Sequence, residues 1–218
     1  LGGTTTIGNY AFSESGAPSY DGGPFTITIP ASVTTIGDYA FEGAYSNSLG
    51  GITFEEGSQL KTIGALAIDG SRITSFEVPA TVESIGAAAF AGNEYLETLT
   101  FAAGDDNSPD LVFGDPALSN TTDDDYVYAS EYSVVYETGI TSINFPDRLT
   151  QIGFYSLADW DDYYDGVSVT FGENSRLATI SEGAFNDSGL TTLALPASVT
   201  YIGSEAFGSN IETFTIAE

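Results

Sequence analysis

Apolar positions recur in a fixed arrangement along this chain, in a six-residue motif of the form Ile-Gly-x-x-Ala-Phe. Intact copies occupy residues 7–12, 36–41, 85–90 and 202–207, and looser copies occupy residues 63–68, 113–118, 152–157 and 180–185. Their starts are 29, 27, 22, 28, 39, 28 and 22 residues apart. A module of this length repeated along a chain is typical of a solenoid, in which each unit buries its apolar face against the next.

The apolar and polar pattern before each motif predicts a short strand. In residues 190–207, Leu193 and Leu195 alternate with small or polar residues, which is the period of a half-buried strand. Pro196 has no amide hydrogen to donate, so we expect the strand to end there. A strand this short cannot fold alone, and its stability must come from stacking on the neighbouring modules.

The motif itself predicts a turn that reverses the chain. Gly203 permits a backbone turn that a side chain would hinder, and Ala206 and Phe207 suit a short helical turn on the opposite side. We therefore expect a curved rod of short β-strands and turns with little helix. Residues 1–218 would form a single leucine-rich-repeat-like solenoid domain of about eight modules. Neither end has an atypical capping repeat, which favours a piece of a longer surface protein.

The combined pattern resembles a known repeat family. Residues 190–207 read L-x-x-L-x-L-P-x-S-V-T-x-I-G-x-x-A-F, and residues 25–41 and 73–90 are related. This is similar to the leucine-rich repeat superfamily, and within it to the BspA-like surface proteins. The resemblance implies a curved β-solenoid exported to a bacterial cell surface and used for adhesion or ligand binding. It implies no shared catalytic residues.

The outward positions of the predicted strands form a ladder of small side chains with little charge. We define the strand-face ladder by its candidate ligand-binding residues, Thr26, Thr28, Thr53, Thr98, Thr100, Ser142, Asn144, Ser168, Thr170, Thr192, Thr213 and Thr215. Glu55, Ser75, Glu77 and Ala194 complete the same row. Threonine is common on any solvated strand face, so the row is compatible with a purely structural role. It is also compatible with a flat recognition surface for a glycan or a protein, or for ice.

Charge limits the partners that this chain can have. Thirty-one acidic residues face four basic ones, which gives a formal net charge of −27. Such a charge excludes binding to nucleic acid, or to an anionic membrane through a basic patch. No stretch approaches the roughly 18 apolar residues that cross a bilayer, so direct membrane insertion is not expected.

Acidic and aromatic residues concentrate in the middle of the chain. Between Asp105 and Asp165 lie 14 of the 31 acids and 7 of the 13 tyrosines, in runs that fall between motifs. We expect these runs to be loops that stacking brings together, with aromatic rings suited to sugar stacking. The candidate ligand-binding loop residues are Tyr126, Tyr128, Trp160, Tyr163 and Tyr164. The candidate Ca²⁺ ligands are Asp105, Asp106, Asp110, Asp159, Asp161 and Asp165, with solvated loop acids as the alternative.

Catalysis has little support in the sequence. The chain contains no histidine and no cysteine, so neither Ser-His-Asp nor Cys-His chemistry can be assembled. With so many acids, some pair of carboxylates will always lie at a useful separation, which makes such a pair uninformative.

The sequence therefore predicts a non-catalytic, extracellular binding or adhesion module of a bacterial cell-surface protein. Its partners would be protein or glycan ligands on host or neighbouring cells. Two other functions stay open. One is a structural spacer that holds a distal adhesive domain away from the cell. The other is ice binding through the strand-face ladder.

Overall fold

Short parallel strands and turns make up the part of the chain that this computed structural model describes. That part comprises residues 3–13, 25–43, 49–105, 107–115, 132–159, 167–209 and 211–217, and it contains no helix. All the paired strands run parallel, in about seven turns of a solenoid. The predicted leucine-rich-repeat-like solenoid is confirmed.

The strands of the described residues fall into two sets. The motif isoleucines belong to one long sheet, made of β1 (Thr6–Ile7), β3 (Thr35–Ile36), β5 (Thr62–Ile63), β7 (Ser84–Ile85), β9 (Leu111–Phe113), β11 (Leu149–Ile152), β13 (Thr179–Ile180) and β15 (Tyr201–Ile202). The other strands are β2 (Phe25–Ile29), β4 (Leu49–Phe54), β6 (Ser75–Val78), β8 (Thr98–Phe101), β10 (Ser142–Phe145), β12 (Ser168–Phe171), β14 (Thr192–Leu195) and β16 (Thr213–Ile216). They pair as β2–β4, β6–β8, β10–β12 and β14–β16, and consecutive pairs lie side by side.

A continuous apolar core runs between the two sets of strands. The motif residues Ile36, Phe41 and Phe90 are fully buried. Where two neighbouring modules both carry the motif phenylalanine, the two rings stack. The ring centroids of Phe12 and Phe41, for example, are 5.1 Å apart. Burying one such side chain contributes about 1.5–3 kcal/mol, so each module gains its stability from the next.

The apolar side chains predicted to point inward from β2 to β14 do so. In the last strand, however, Phe214 and Ile216 are 41% and 52% exposed. Phe214 is paired with the buried Leu193 and Ile216 with the buried Leu195, so both side chains face the same way as these neighbours. They stay exposed because among the described residues no further module covers them.

Close stacking of successive turns explains the motif glycine. A Cβ added at Gly86 would lie 2.6 Å from the backbone nitrogen of Ala65 in the preceding module, and one at Gly203 would lie 2.5 Å from that of Glu182. Neither glycine has a positive φ angle. The sequence predicted a glycine that frees the turn, whereas the structure requires one that leaves room for the neighbouring backbone.

The residue before the motif alanine adopts a left-handed backbone conformation. The φ angle of this residue is +55° at Tyr39, +50° at Ala88 and +49° at Glu205. This left-handed conformation costs a non-glycine residue about 1–2 kcal/mol. Hydrogen bonds between modules hold it, as when the Tyr39 amide donates to the Ala65 carbonyl oxygen at 2.9 Å. The short helical turn predicted at Ala206 and Phe207 is therefore wrong.

The fifth module departs from its predicted motif at residues 113–118. Val134 and Val135 are fully buried, and the Phe90 amide donates to the Val134 carbonyl oxygen at 3.0 Å. In the second module, the Phe41 amide makes the same bond to Ala67 at 2.8 Å. Val134 thus takes the place of the motif alanine. The described residues that flank positions 116–131, Asp115 and Tyr132, both hydrogen-bond within this turn, to the amides of Phe154 and Ala88.

Alanine substitutions at two equivalent motif glycines test whether the glycine is needed for close packing of the backbones or for its own backbone flexibility. Gly86→Ala should lower the free energy of unfolding by about 1–3 kcal/mol, because the new methyl group meets backbone that cannot move aside. At Gly8, no heavy atom lies within 4 Å of the added Cβ. Gly8→Ala should change the stability by less than about 0.5 kcal/mol. Urea unfolding followed by circular dichroism measures both, and equal losses would contradict the packing role.

Candidate functional site

The strand-face ladder is exposed along the whole described solenoid. All twelve of its predicted residues are solvent-exposed, on the face of β2 to β16 opposite the core. Its members are paired in register, with Glu77 beside Thr100 and Asn144 beside Thr170. The pleat of the strands therefore places these side chains as the sequence predicted, while their role in binding stays a prediction.

The ladder differs from the predicted row at β2 and β4. The order of the row along the chain predicts that Thr26 pairs with Thr53 and Thr28 with Glu55, whereas Gly51 lies opposite Thr26 and Thr53 opposite Thr28, after a register shift that follows Phe25. Glu55 lies beyond the end of β4, where its Oε2 accepts a hydrogen bond from the Ala31 amide at 3.0 Å. The row thus has a glycine where the sequence analysis placed a hydroxyl, and it loses one of its two carboxylates.

Side chains of the ladder hydrogen-bond to one another across paired strands. The hydroxyl oxygens of Thr28 and Thr53 are 3.1 Å apart, and the Thr170 hydroxyl donates to the Asn144 amide oxygen at 3.0 Å. Glu77 is the remaining charged residue of the row on the described strands. The face consequently offers ordered donors and acceptors with little charge, on a protein that is strongly acidic elsewhere.

An open cavity of about 700 Å³ adjoins the ladder at Asn144. Asp147, Glu173 and Arg176 contribute to its lining, as does Arg148, which is 4% exposed. The Arg148 guanidinium donates to the carbonyl oxygens of Val82 and Pro79, and burial lowers its pKa. This arginine joins modules together. Sequence reasoning did not single it out, because its partners are backbone atoms far away in the chain.

The described aspartates of the proposed calcium sites have other partners. Asp105 Oδ1 accepts hydrogen bonds from the Asn107 amide at 2.9 Å and from the Ser108 hydroxyl at 3.2 Å. Asp110 pairs with Arg176 at 3.0 Å. Within the described ranges, no group of three acidic side chains could hold a metal ion. Asp106, Asp161 and Asp165 lie outside the described residues, so calcium binding stays a prediction.

Three acidic runs lie between the motifs, at residues 105–110, 123–128 and 159–165, and their flanking residues lie at different points of the solenoid turn. The first lies between β8 and β9, the second follows Asp115, and the third follows Asp159 on the way to β12. We expected the runs to be brought together by stacking, but their attachment points do not share a position in the module. Tyr126, Tyr128, Trp160, Tyr163 and Tyr164 lie outside the described residues.

A carboxyl group on the turn side of the solenoid has a raised pKa. Burial raises the pKa of Asp69 to about 6, and the nearby charges of Glu42 and Glu137 add to the effect. The chain has four basic residues to neutralise its acids. Of these, Lys61 pairs with Glu83 at 2.8 Å and Arg176 with Asp110 at 3.0 Å. Because burial and two neighbouring carboxylates raise the pKa of Asp69, its charge is unfavourable at neutral pH.

Stability should respond to the protonation of Asp69. Because its folded-state pKa of about 6 exceeds its ordinary value of 3.8, the folded chain holds a proton that the unfolded chain releases between these pH values. Stability should thus fall as pH rises through this window. Asp69→Asn should raise the melting temperature by about 2–4 °C at pH 8 and leave it nearly unchanged at pH 3.5.

The control for Asp69→Asn is Glu77→Gln, which removes one negative charge from the exposed strand face. If both variants gain equally at pH 8 in differential scanning calorimetry, the effect is one of net charge, and the local cause is wrong.

Comparisons with known proteins agree with the solenoid. A family model described as BspA type leucine-rich repeat region matches residues 5–127 and 129–218, in six copies. The chain is similar in structure to the pneumococcal vaccine antigen PcpA, with a TM-score of 0.58, 20% identity, and coverage of 97% of this chain and 56% of that one. A leucine rich cell surface protein from Faecalibacterium prausnitzii gives a TM-score of 0.43 at 18% identity, with coverage of 97% and 64%.

The same comparisons limit what can be carried over. The chain spans 56% and 64% of the lengths of these two proteins. At 20% identity, the likeness to the pneumococcal antigen concerns the fold alone. No curated protein matches the chain. In the described part, no helix is long and apolar enough to cross a membrane.

Proposed function

Because this chain belongs to the BspA-type leucine-rich repeat family, we propose that it is a non-catalytic binding and adhesion module of a bacterial cell-surface protein. Its ligand is a glycan or a protein, and its contact surface is the strand-face ladder. The observation that carries this proposal is a continuous exposed row with a single carboxylate, Glu77, on a chain of net charge −27. The family and the fold shared with a pneumococcal antigen support a place at the cell surface.

The physical character of the ladder suits recognition. Threonine, serine and asparagine are short, so fixing them against a ligand costs less side-chain entropy than fixing long charged residues. Paired strands lie about 4.8 Å apart, and alternate residues along a strand about 6.7 Å apart, which gives a regular grid of donors and acceptors. Bonds such as the one between Thr170 and Asn144 at 3.0 Å hold parts of the grid in place before binding.

Replacing hydroxyls of the ladder tests the proposal. The triple substitution Thr98→Ala, Thr100→Ala and Thr170→Ala should weaken ligand binding at least about tenfold, because three hydrogen-bonding groups are removed from one face. The measurement is binding of the purified chain to arrays of oligosaccharides and of extracellular-matrix proteins. Thermal melts of each variant confirm that the fold is retained.

A matched control removes three exposed threonines outside the strands, namely Thr4, Thr141 and Thr191. These alanine substitutions should leave binding unchanged. Equal losses in the two triple variants would contradict binding through the ladder. Absence of any ligand for the unaltered chain would instead support the spacer, for which the regular stack over one core is sufficient.

The same triple ladder variant tests the alternative hypothesis of ice binding through the strand-face ladder. Gly51, Glu77, Asn144 and Ala194 interrupt the threonine row, which disfavours a surface that must match a lattice. Thermal hysteresis of the unaltered chain that is lost in the triple variant would support ice binding over adhesion.

A further inference from the structure

One exposed aromatic side chain lies away from the terminal modules. The other large apolar side chains that are exposed in the described residues belong to the first or last module, namely Tyr10, Phe12, Tyr201, Ile202, Phe214 and Ile216. Their exposure follows from the lack of a described neighbour on one side. Tyr95 has modules on both sides, yet it is 49% exposed. Stacking therefore does not explain the exposure of Tyr95.

Arg72 lies over the Tyr95 ring. The central carbon of its guanidinium is 5.3 Å from the ring centroid, which is a cation–π contact. Arg72 is one of four basic residues beside 31 acids. It nevertheless forms no ion pair with any described residue, whereas Lys61 and Arg176 each pair with a carboxylate. Within the described residues, no carboxylate therefore neutralises its positive charge, in a chain that has an excess of carboxylates.

Together with Thr26, Gly50 and Thr74, these two side chains line an open pocket of about 390 Å³, which we name the Tyr95 pocket. No acidic residue is among the described residues that line it. The pocket adjoins the strand-face ladder, because Thr26 belongs to both.

The backbone around the Tyr95 pocket is held by the solenoid. The Arg72 amide donates to the Leu49 carbonyl oxygen at 3.0 Å, and the Glu97 amide donates to the Thr74 carbonyl oxygen at 3.1 Å. The positions that carry the pocket side chains are therefore fixed before a ligand arrives, which lowers the entropic cost of binding.

We propose that the Tyr95 pocket binds one carboxylate-bearing sugar residue of an oligosaccharide. The apolar face of the sugar packs on the exposed part of the Tyr95 ring. The carboxylate of the sugar pairs with the Arg72 guanidinium, whose planar fork can donate two parallel hydrogen bonds to it. The hydroxyls of Thr26 and Thr74 bond to sugar hydroxyls. This inference rests on the proposed function, since the rest of the oligosaccharide contacts the ladder.

The overall charge of the chain restricts the ligand further. A net charge of −27 repels a uniformly charged polyanion. At physiological ionic strength the Debye length is about 8 Å, so exposed charges that are farther apart than this are largely screened. A single carboxylate at Arg72 therefore interacts mainly with the pocket and little with distant acids. The ligand is therefore an oligosaccharide with an isolated acidic residue.

The probes that test this inference are sialylated and uronate-containing oligosaccharides, each printed on an array beside its neutral parent. The unaltered chain should bind one of these acidic classes more tightly than the matching neutral sugar. Isothermal titration with the best acidic member then compares variants. Arg72→Gln should reduce its affinity about tenfold, the effect of one lost charge-assisted pair, and should reduce the preference over the neutral parent to less than about twofold.

Substitutions at Tyr95 test the aromatic contact. Tyr95→Leu should weaken the acidic and the neutral sugar alike by about tenfold, whereas Tyr95→Phe, which keeps the ring, should bind within about twofold of the unaltered chain. Tyr201→Leu is the matched control, because Tyr201 is 59% exposed but lies in the last module. It should leave the affinity unchanged, and melts confirm the fold of every variant.

The outcomes separate this inference from the proposed function. Unchanged binding in Tyr95→Leu and Arg72→Gln, together with loss in the triple ladder variant, would overturn the Tyr95 pocket and leave adhesion through the ladder standing. A chain that binds neutral sugars or matrix proteins but no acidic sugar would do the same. A chain that binds no sugar and no matrix protein would overturn both.

Discussion

The backbone of each turn lies directly on the backbone of the turn before it, and the other features of this solenoid depend on that contact. There is no room for a methyl group between Gly86 and Ala65 or between Gly203 and Glu182. Stacking this close aligns the short strands of the long sheet and brings motif rings such as Phe12 and Phe41 into contact. It also provides the hydrogen bond that holds Tyr39 at a positive φ angle. A two-residue strand such as β7 has few interactions of its own, so the repeat contact supplies its stability.

The sequence was sufficient for those parts of the fold that follow from periodicity. The alternation around Leu193 predicted the strand, its inward face and its exposed Thr192, and the recurring motif predicted the stack. The sequence was not sufficient for those features that are determined by contacts between modules. The shift after Phe25, the glycine packing and the replacement of the fifth motif by Val134 and Val135 all depend on backbone approach across about one repeat, which spacing along the chain does not encode.

Of the two candidate sites, one could be predicted from the sequence and the other could not. The strand-face ladder follows from the period of a strand, and its residues could be named from the sequence. The Tyr95 pocket could not, because Thr26, Arg72 and Tyr95 come from different modules and meet only after stacking. A signal was present in composition: a basic residue is rare in this chain, so each of the four merits a search for its partner.

The fifth module shows how such an array can vary without losing its register. Asp115 and Tyr132 both contact Phe154, the first through a hydrogen bond to its amide at 3.0 Å and the second through a ring contact at 5.8 Å. The chain therefore leaves and re-enters the turn beside the same residue, while β9 still pairs with β7 and β11. Segments of differing length could be exchanged at this junction during evolution, giving the protein a place for diversification that leaves its scaffold intact.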